Sequence, residues 1–98
     1  MNEIGRKTVP APPMAAEKGG TEVLRAFVVE GRLEVSLRRA FEEPDVWGVA
    51  LADVARHAAR IFAKETKIGE DDALDKIRTM FNAEIDKPTD AGTTRAAS

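Results

Sequence analysis

Apolar residues recur every three to four positions from Pro44 to Thr66, which is the period of an amphipathic α-helix. Pro44 suits the first helical turn, where its missing N–H is not needed. The large apolar side chains fall on one side of this helix, here named the helix stripe, which consists of Trp47, Leu51, Val54, Ala58, Ile61 and Phe62, with Ala50 and Ala55 along its margins. The pattern predicts one helix of about six turns whose stripe faces a core.

The period changes to two between Thr21 and Phe41, where apolar and polar residues alternate as in a strand with one buried face. Glu30-Gly31 separates two such runs and can form the two-residue turn of a tight hairpin. Pairing of Val29 with Arg32 then puts six residues on one side, here named the hairpin face: Leu24, Ala26, Val28, Leu33, Val35 and Leu37. We expect the long helix to cover the hairpin face, with Trp47 in the core between them.

A second helix is predicted directly after the first. Gly69 can take the left-handed conformation that ends a helix, and Asp71 or Asp72 can cap the next one. The apolar stripe of the second helix is Leu74, Ile77, Phe81 and Ile85, and Pro88 ends it. The sequence therefore predicts an α+β fold of order ββαα in one domain over residues 21–87. Residues 1–20 and 88–98 lack apolar periodicity and are predicted to be disordered tails.

The opposite side of the hairpin displays Val23, Phe27 and Val29 among charged residues. A lone hairpin also has two open edges and is marginal in water. Both defects favour a homodimer of about 21 kDa, twice the chain mass of 10.7 kDa. Pairing of two hairpins edge to edge, exchange of the hairpin, and exchange of the last helix would each achieve this burial.

Composition narrows the possible classes of function. The 98 residues contain no cysteine, which excludes disulfides and thiolate chemistry. The longest apolar run is too short for a membrane span, and no apolar signal-peptide core is present, so we expect a cytoplasmic protein without membrane contact. The net charge of −2 gives no overall attraction to nucleic acid.

The candidates for catalysis are weak. His57 is the only histidine, and a triad within the domain would need Ser36, His57 and Asp53. Ser36 points away from the face that the helix is predicted to cover, so we expect Asp53 and His57 to form only a helix-surface contact. One imidazole is too few for a zinc site, and the acids at residues 70–75 lack the spacing of a calcium loop. We expect no enzyme activity, no cofactor and no metal.

Two functions remain after these exclusions. The favoured function is a homodimeric, non-catalytic interaction module with an unknown protein partner, and its possible surface comprises Val23, Phe27, Val29, Arg56, His57 and Arg60. The alternative is a nucleic-acid-associated regulator that uses Arg38, Arg39, Arg56, Arg60 and Lys64. Interspersed acids and the lack of further exposed aromatic residues give this alternative little support.

The central helix also carries a family resemblance. Trp47-Gly48, Leu51-Ala52-Asp53 and the run Ala55 to Ala58 resemble a family of small, uncharacterised alphaproteobacterial proteins classed as a domain of unknown function. The likeness covers roughly residues 21–87 and leaves the tails outside. It implies a bacterial cytoplasmic protein with no known activity, and it carries no functional residue over to this chain.

Overall fold

The computed structural model describes residues 7–90 and Thr94. Five elements follow one another along the chain: helix α1 Pro13–Lys18, strands β1 Leu24–Val29 and β2 Arg32–Leu37, and helices α2 Pro44–Glu65 and α3 Glu70–Asp86. The predicted ββαα order is therefore confirmed. Helix α1 was not predicted from the sequence, and its residues are all exposed. Most of residues 91–98 and all of residues 1–6 lie outside the described part of the chain.

The hairpin forms with the predicted register. Strands β1 and β2 are antiparallel, and Val29 pairs with Arg32 next to the turn. Glu30 and Gly31 have φ angles of 50° and 80°. Positive φ at both central residues matches the right-handed twist of the flanking strands. The hairpin is thus determined by its own local sequence.

The turn between α2 and α3 differs from the prediction. Gly69 has an extended backbone with φ −74°, and it does not end α2. Instead, the Oγ1–H and N–H of Thr66 both donate to the carbonyl oxygen of Phe62, at 2.7 and 2.9 Å. Helix α3 begins at Glu70 without a side-chain cap, so the predicted capping by Asp71 or Asp72 is wrong. Acids in this first turn still complement the helix dipole.

Helices α2 and α3 pack against each other through small residues. Ala59 of α2 is completely buried and Ala73 of α3 is 4% exposed. The residues of α2 on this side, here named the small-residue stripe, are Gly48, Ala52, Ala55 and Ala59. Successive helix residues lie about 100° apart, so this stripe faces a different direction from the neighbouring helix stripe. The prediction that the helix stripe is the face buried in the core is therefore wrong for the single chain.

The hairpin face is not covered by the long helix. No Cα atom of either strand lies within 8 Å of a Cα atom of α2 or α3. Leu24 and Leu37 at the open end are half-buried, but Val28 and Leu33 near the turn remain 75% and 67% exposed. The expected hairpin-on-helix packing therefore does not occur within one chain.

Residues 38–43, here named the connector, join the hairpin to helix α2. Trp47 packs on this connector rather than in a core. Its indole Nε1–H donates to the carbonyl oxygen of Arg39 at 2.7 Å. The Phe41 ring meets the Trp47 ring edge to face, with centroids 5.4 Å apart. Ala40, between these contacts, has a left-handed backbone with φ 68°. The connector is thus pinned to the first turn of α2, which keeps the hairpin away from the rest of that helix.

The described chain consequently lacks a core of large side chains. Apart from Ala59 and Ala73, no apolar residue among those described is buried, and no large side chain is fully buried. The radius of gyration is 15.2 Å, against about 13 Å for a compact domain of 100 residues. The hairpin and the helical pair are each formed from sequence neighbours, and they share no interior.

Candidate interaction surfaces

The first exposed apolar surface is the hairpin face. The large exposed residues here are Val28, Leu33 and Val35, and no charged side chain interrupts the face. Monomeric proteins rarely leave a contiguous apolar patch of this kind in water. The hairpin face is therefore a candidate for contact with another chain.

The opposite side of the hairpin, which the sequence analysis proposed as an interaction surface, is better covered. The guanidinium carbon of Arg25 lies 5.3 Å from the centroid of the Phe27 ring, in a cation–π contact. Val23 and Phe27 are half-buried, whereas Val29 is exposed. Of the two hairpin faces, the one predicted to pack inside is the more open.

The second exposed apolar surface is the helix stripe. Val54 and Ile61 are 56% and 53% exposed, and Phe62 is also exposed. Trp47 at the start of the stripe is occupied by the connector, so the free part runs from Leu51 to Phe62. Except for Glu65 at the last position, the charged residues of α2 lie on a different side of the helix. The helix stripe, like the hairpin face, offers only apolar atoms.

A groove opens between the two long helices at the end away from their turn. Its volume is about 230 Å³, and its lining residues are Gly48, Leu51, Ala52, Ala55, Arg56, Leu74, Ile77, Arg78 and Phe81. An added Cβ at Gly48 would meet no atom within 4 Å, whereas Ala59 near the turn is fully enclosed. The helices therefore diverge along their length. This groove was not predicted from the sequence, although the spacing of the small residues was a signal for it.

The basic residues of α2 do not form one free surface. Arg60 Nε lies 3.6 Å from Glu70 Oε2, and Arg60 Nη1 lies 3.4 Å from His57 Nδ1. The predicted contact between Asp53 and His57 is not present, since His57 contacts Arg60 instead. Arg56 lies at the rim of the groove. Since neither strand of the hairpin contacts α2, the members of the proposed surface on α2 lie apart from those on the hairpin.

The remaining basic residues of the nucleic-acid alternative are also engaged or isolated. Arg38 Nε donates to the carbonyl oxygen of Glu22 at 2.9 Å, and Arg39 Nη2 lies 4.0 Å from Glu42 Oε1. Lys64 is exposed in the last turn of α2. Local acids thus offset part of the positive charge that phosphate contacts would need.

The structure does not assemble the candidate triad. Ser36 belongs to β2, whereas Asp53 and His57 belong to α2, and the two elements are not in contact. Among the described residues, no three His, Asp or Glu side chains are grouped so that they could hold a metal ion. No helix in the described part of the chain is long and apolar enough to cross a membrane.

The carboxyl group of Glu84, in the last turn of α3, has a lowered pKa. Thr89 Oγ1–H donates to Glu84 Oε2 at 2.6 Å, and Thr89 N–H donates to Glu84 Oε1 at 2.9 Å. These two hydrogen bonds favour the charged form and lower the pKa of Glu84. They fold the chain after Lys87 back onto the last turn of α3.

A β-hairpin followed by a helical pair defines a small α+β domain. A family described as a domain of unknown function (DUF5076) matches residues 8–89, and the chain belongs to that family. The match confirms the predicted resemblance to an uncharacterised domain family. It begins at residue 8 rather than residue 21, so it includes the segment around α1 that the resemblance was expected to leave out.

Solved structures similar to the chain include a protein from the photosynthetic bacterium Rhodopseudomonas palustrus, described provisionally as a pyruvate dehydrogenase. The two sequences are 47% identical, and the TM-score is 0.76. The alignment covers 97% of this chain and 99% of the other. No curated protein is significantly similar to the chain. The likeness to the bacterial protein therefore extends over nearly the whole of both chains.

Proposed function

We propose that the chain is a non-catalytic interaction module that acts as a homodimer. The observation that carries this proposal is the lack of any fully buried large side chain among the described residues. Burial of apolar surface is the dominant favourable term in folding, and chain entropy opposes it with a similar magnitude. A second chain that covers the exposed apolar faces supplies the missing burial.

A second copy is the simplest partner for these faces. Most small soluble oligomers are symmetric homodimers, in which the same patch is used on both chains. The hairpin face and the helix stripe both lack charged residues, so neither requires a partner of opposite charge. Interfaces of obligate homodimers have this apolar character and resemble a domain core cut in half.

Sedimentation velocity on the full chain at micromolar concentration tests the proposal. We expect a species of about 21 kDa and a melting temperature that rises with protein concentration. A single species of 10.7 kDa at all concentrations would refute the homodimer.

The non-catalytic part of the proposal has its own test. The description of the bacterial relative names a dehydrogenase acting on pyruvate, and this is the activity to assay in the purified chain. We expect no consumption of pyruvate above the buffer control. Turnover that scales with protein concentration and survives repeated purification would contradict the non-catalytic assignment.

A further inference from the structure

We infer that the hairpin is exchanged between the two copies, so that the hairpin face of each chain packs on the helix stripe of the other. This inference rests on the proposed homodimer and names the surfaces that form it. The sequence periodicity predicts that these two faces pack together, and the structure leaves both of them open in one chain. Both observations are satisfied when the hairpin face of one chain packs on the helix stripe of the other.

The connector explains why the packing does not occur within one chain. Only six residues, 38–43, separate β2 from α2. The Trp47 to Arg39 hydrogen bond and the contact with Phe41 hold this segment on the first turn of the helix. The pinned connector covers the start of the helix stripe and directs the hairpin away from the remainder. A short hinge loop favours exchange of an element between two chains.

The two faces match in size and chemistry. Strands of six residues extend about 20 Å, and the free helix stripe from Leu51 to Phe62 extends about 17 Å. Both faces consist of apolar residues, and neither contains a buried polar group that would need a partner. The hairpin of one chain is therefore long enough to cover the free stripe of another.

The arrangement closes with two copies. Each chain supplies one hairpin face and one helix stripe, so a twofold axis pairs both without leaving either open. A different protein would have to present a β-sheet face and a helix face at the same time. A second copy already carries both faces.

Cross-linking of cysteine variants tests the exchange, because the chain has no native cysteine. One chain carries Leu33→Cys on the hairpin face, and a second chain, tagged to differ in mass, carries Val54→Cys on the helix stripe. The two are unfolded together, refolded and treated with a short bis-maleimide. We expect a cross-linked pair containing one chain of each kind. The band should be lost when Val49→Cys, on the charged side of α2, replaces Val54→Cys.

Other outcomes overturn the inference. Cross-linking of Leu33→Cys chains to one another, without the mixed pair, would show hairpins joined edge to edge. A chain with both substitutions that cross-links internally and sediments at 10.7 kDa would show that the hairpin folds onto its own helix. A 21 kDa dimer without the mixed pair would reject only the exchange, whereas the absence of any dimer would reject the proposed function as well.

Discussion

The effect of truncating Val28 distinguishes between two cases. In the first, the hairpin face is buried between two chains, and in the second it stays in water. Val28→Ala removes two carbon atoms, each worth about 0.8 kcal/mol when buried. Because 75% of the side chain is exposed in the single chain, about 1.2 kcal/mol of this burial would form only in the dimer. Both copies lose it, which gives about 2.4 kcal/mol and an increase of about 50-fold in the dimer dissociation constant.

The matched control is Val49→Ala. Val49 is 63% exposed on the charged side of α2, where the proposed dimer leaves it in water. Sedimentation equilibrium over a dilution series measures the dissociation constant of both variants and of the unsubstituted chain. We expect Val49→Ala to leave that constant within a few-fold of the unsubstituted value. Equal effects of the two substitutions, or no effect of Val28→Ala, would refute the assignment of the hairpin face to the interface.

Three further predictions concern the elements themselves. Ala59→Leu should lower the free energy of unfolding by about 1–3 kcal/mol through overpacking, whereas Ala52→Leu, at the open end of the same helix pair, should change it by less than about 0.5 kcal/mol. Urea denaturation at one fixed protein concentration compares the two variants, and equal losses would contradict the divergence of the helices. Glu30→Asn should stabilise the hairpin by up to about 1 kcal/mol, because asparagine tolerates positive φ, and Glu30→Val should destabilise it by a similar amount. The same denaturation assay compares the stabilities of the two variants. A higher stability of Glu30→Val than of Glu30→Asn would exclude a left-handed backbone at residue 30. Thr89→Val should raise the pKa of Glu84 towards its ordinary value, as followed by NMR titration of the carboxyl carbon. Since the folded pKa is lowered, this contact stabilises the fold above the ordinary pKa of glutamate and is lost as the pH falls through the lowered pKa.

The local elements could be predicted from the sequence because nearby residues determine them. The alternation in β2 and the Glu30-Gly31 turn together fix the hairpin register, since a slip by one residue would move every side chain to the other face. Pro44 marks the start of α2 for a similar reason, because its ring fits only a first helical turn. Neither feature depends on what the rest of the molecule does.

The packing between elements could not be predicted in the same way. Helix α2 has two apolar sides, and a hydrophobic pattern gives more weight to Val54 and Ile61 than to Ala55 and Ala59. Close approach of two helix backbones requires small side chains, so α3 packs on the alanines instead. The sequence of one chain also cannot show whether the cover of an apolar face comes from the same chain or from a second copy.

The candidate site was predicted only in part. Exposed apolar residues on the hairpin were expected, but on the side of Val23 and Phe27 rather than that of Val28 and Leu33. The reason is that the long helix was expected to cover Val28 and Leu33. The connector, which is held on the first turn of α2, prevents this packing. The contact between His57 and Arg60 was missed because residues at a spacing of three and of four lie equally near on a helix.

In the described part of the chain, the only elements in contact are sequence neighbours, β1 with β2 and α2 with α3, and α1 contacts no other element. Contacts between residues near in sequence close short loops, and folds built from them form quickly. A hairpin of this kind forms in about 1–10 μs and a helix in about 1 μs or less. In the proposed homodimer, the encounter of two chains is then the slow step of folding, so the rate at which the native protein appears after dilution from denaturant should depend on protein concentration.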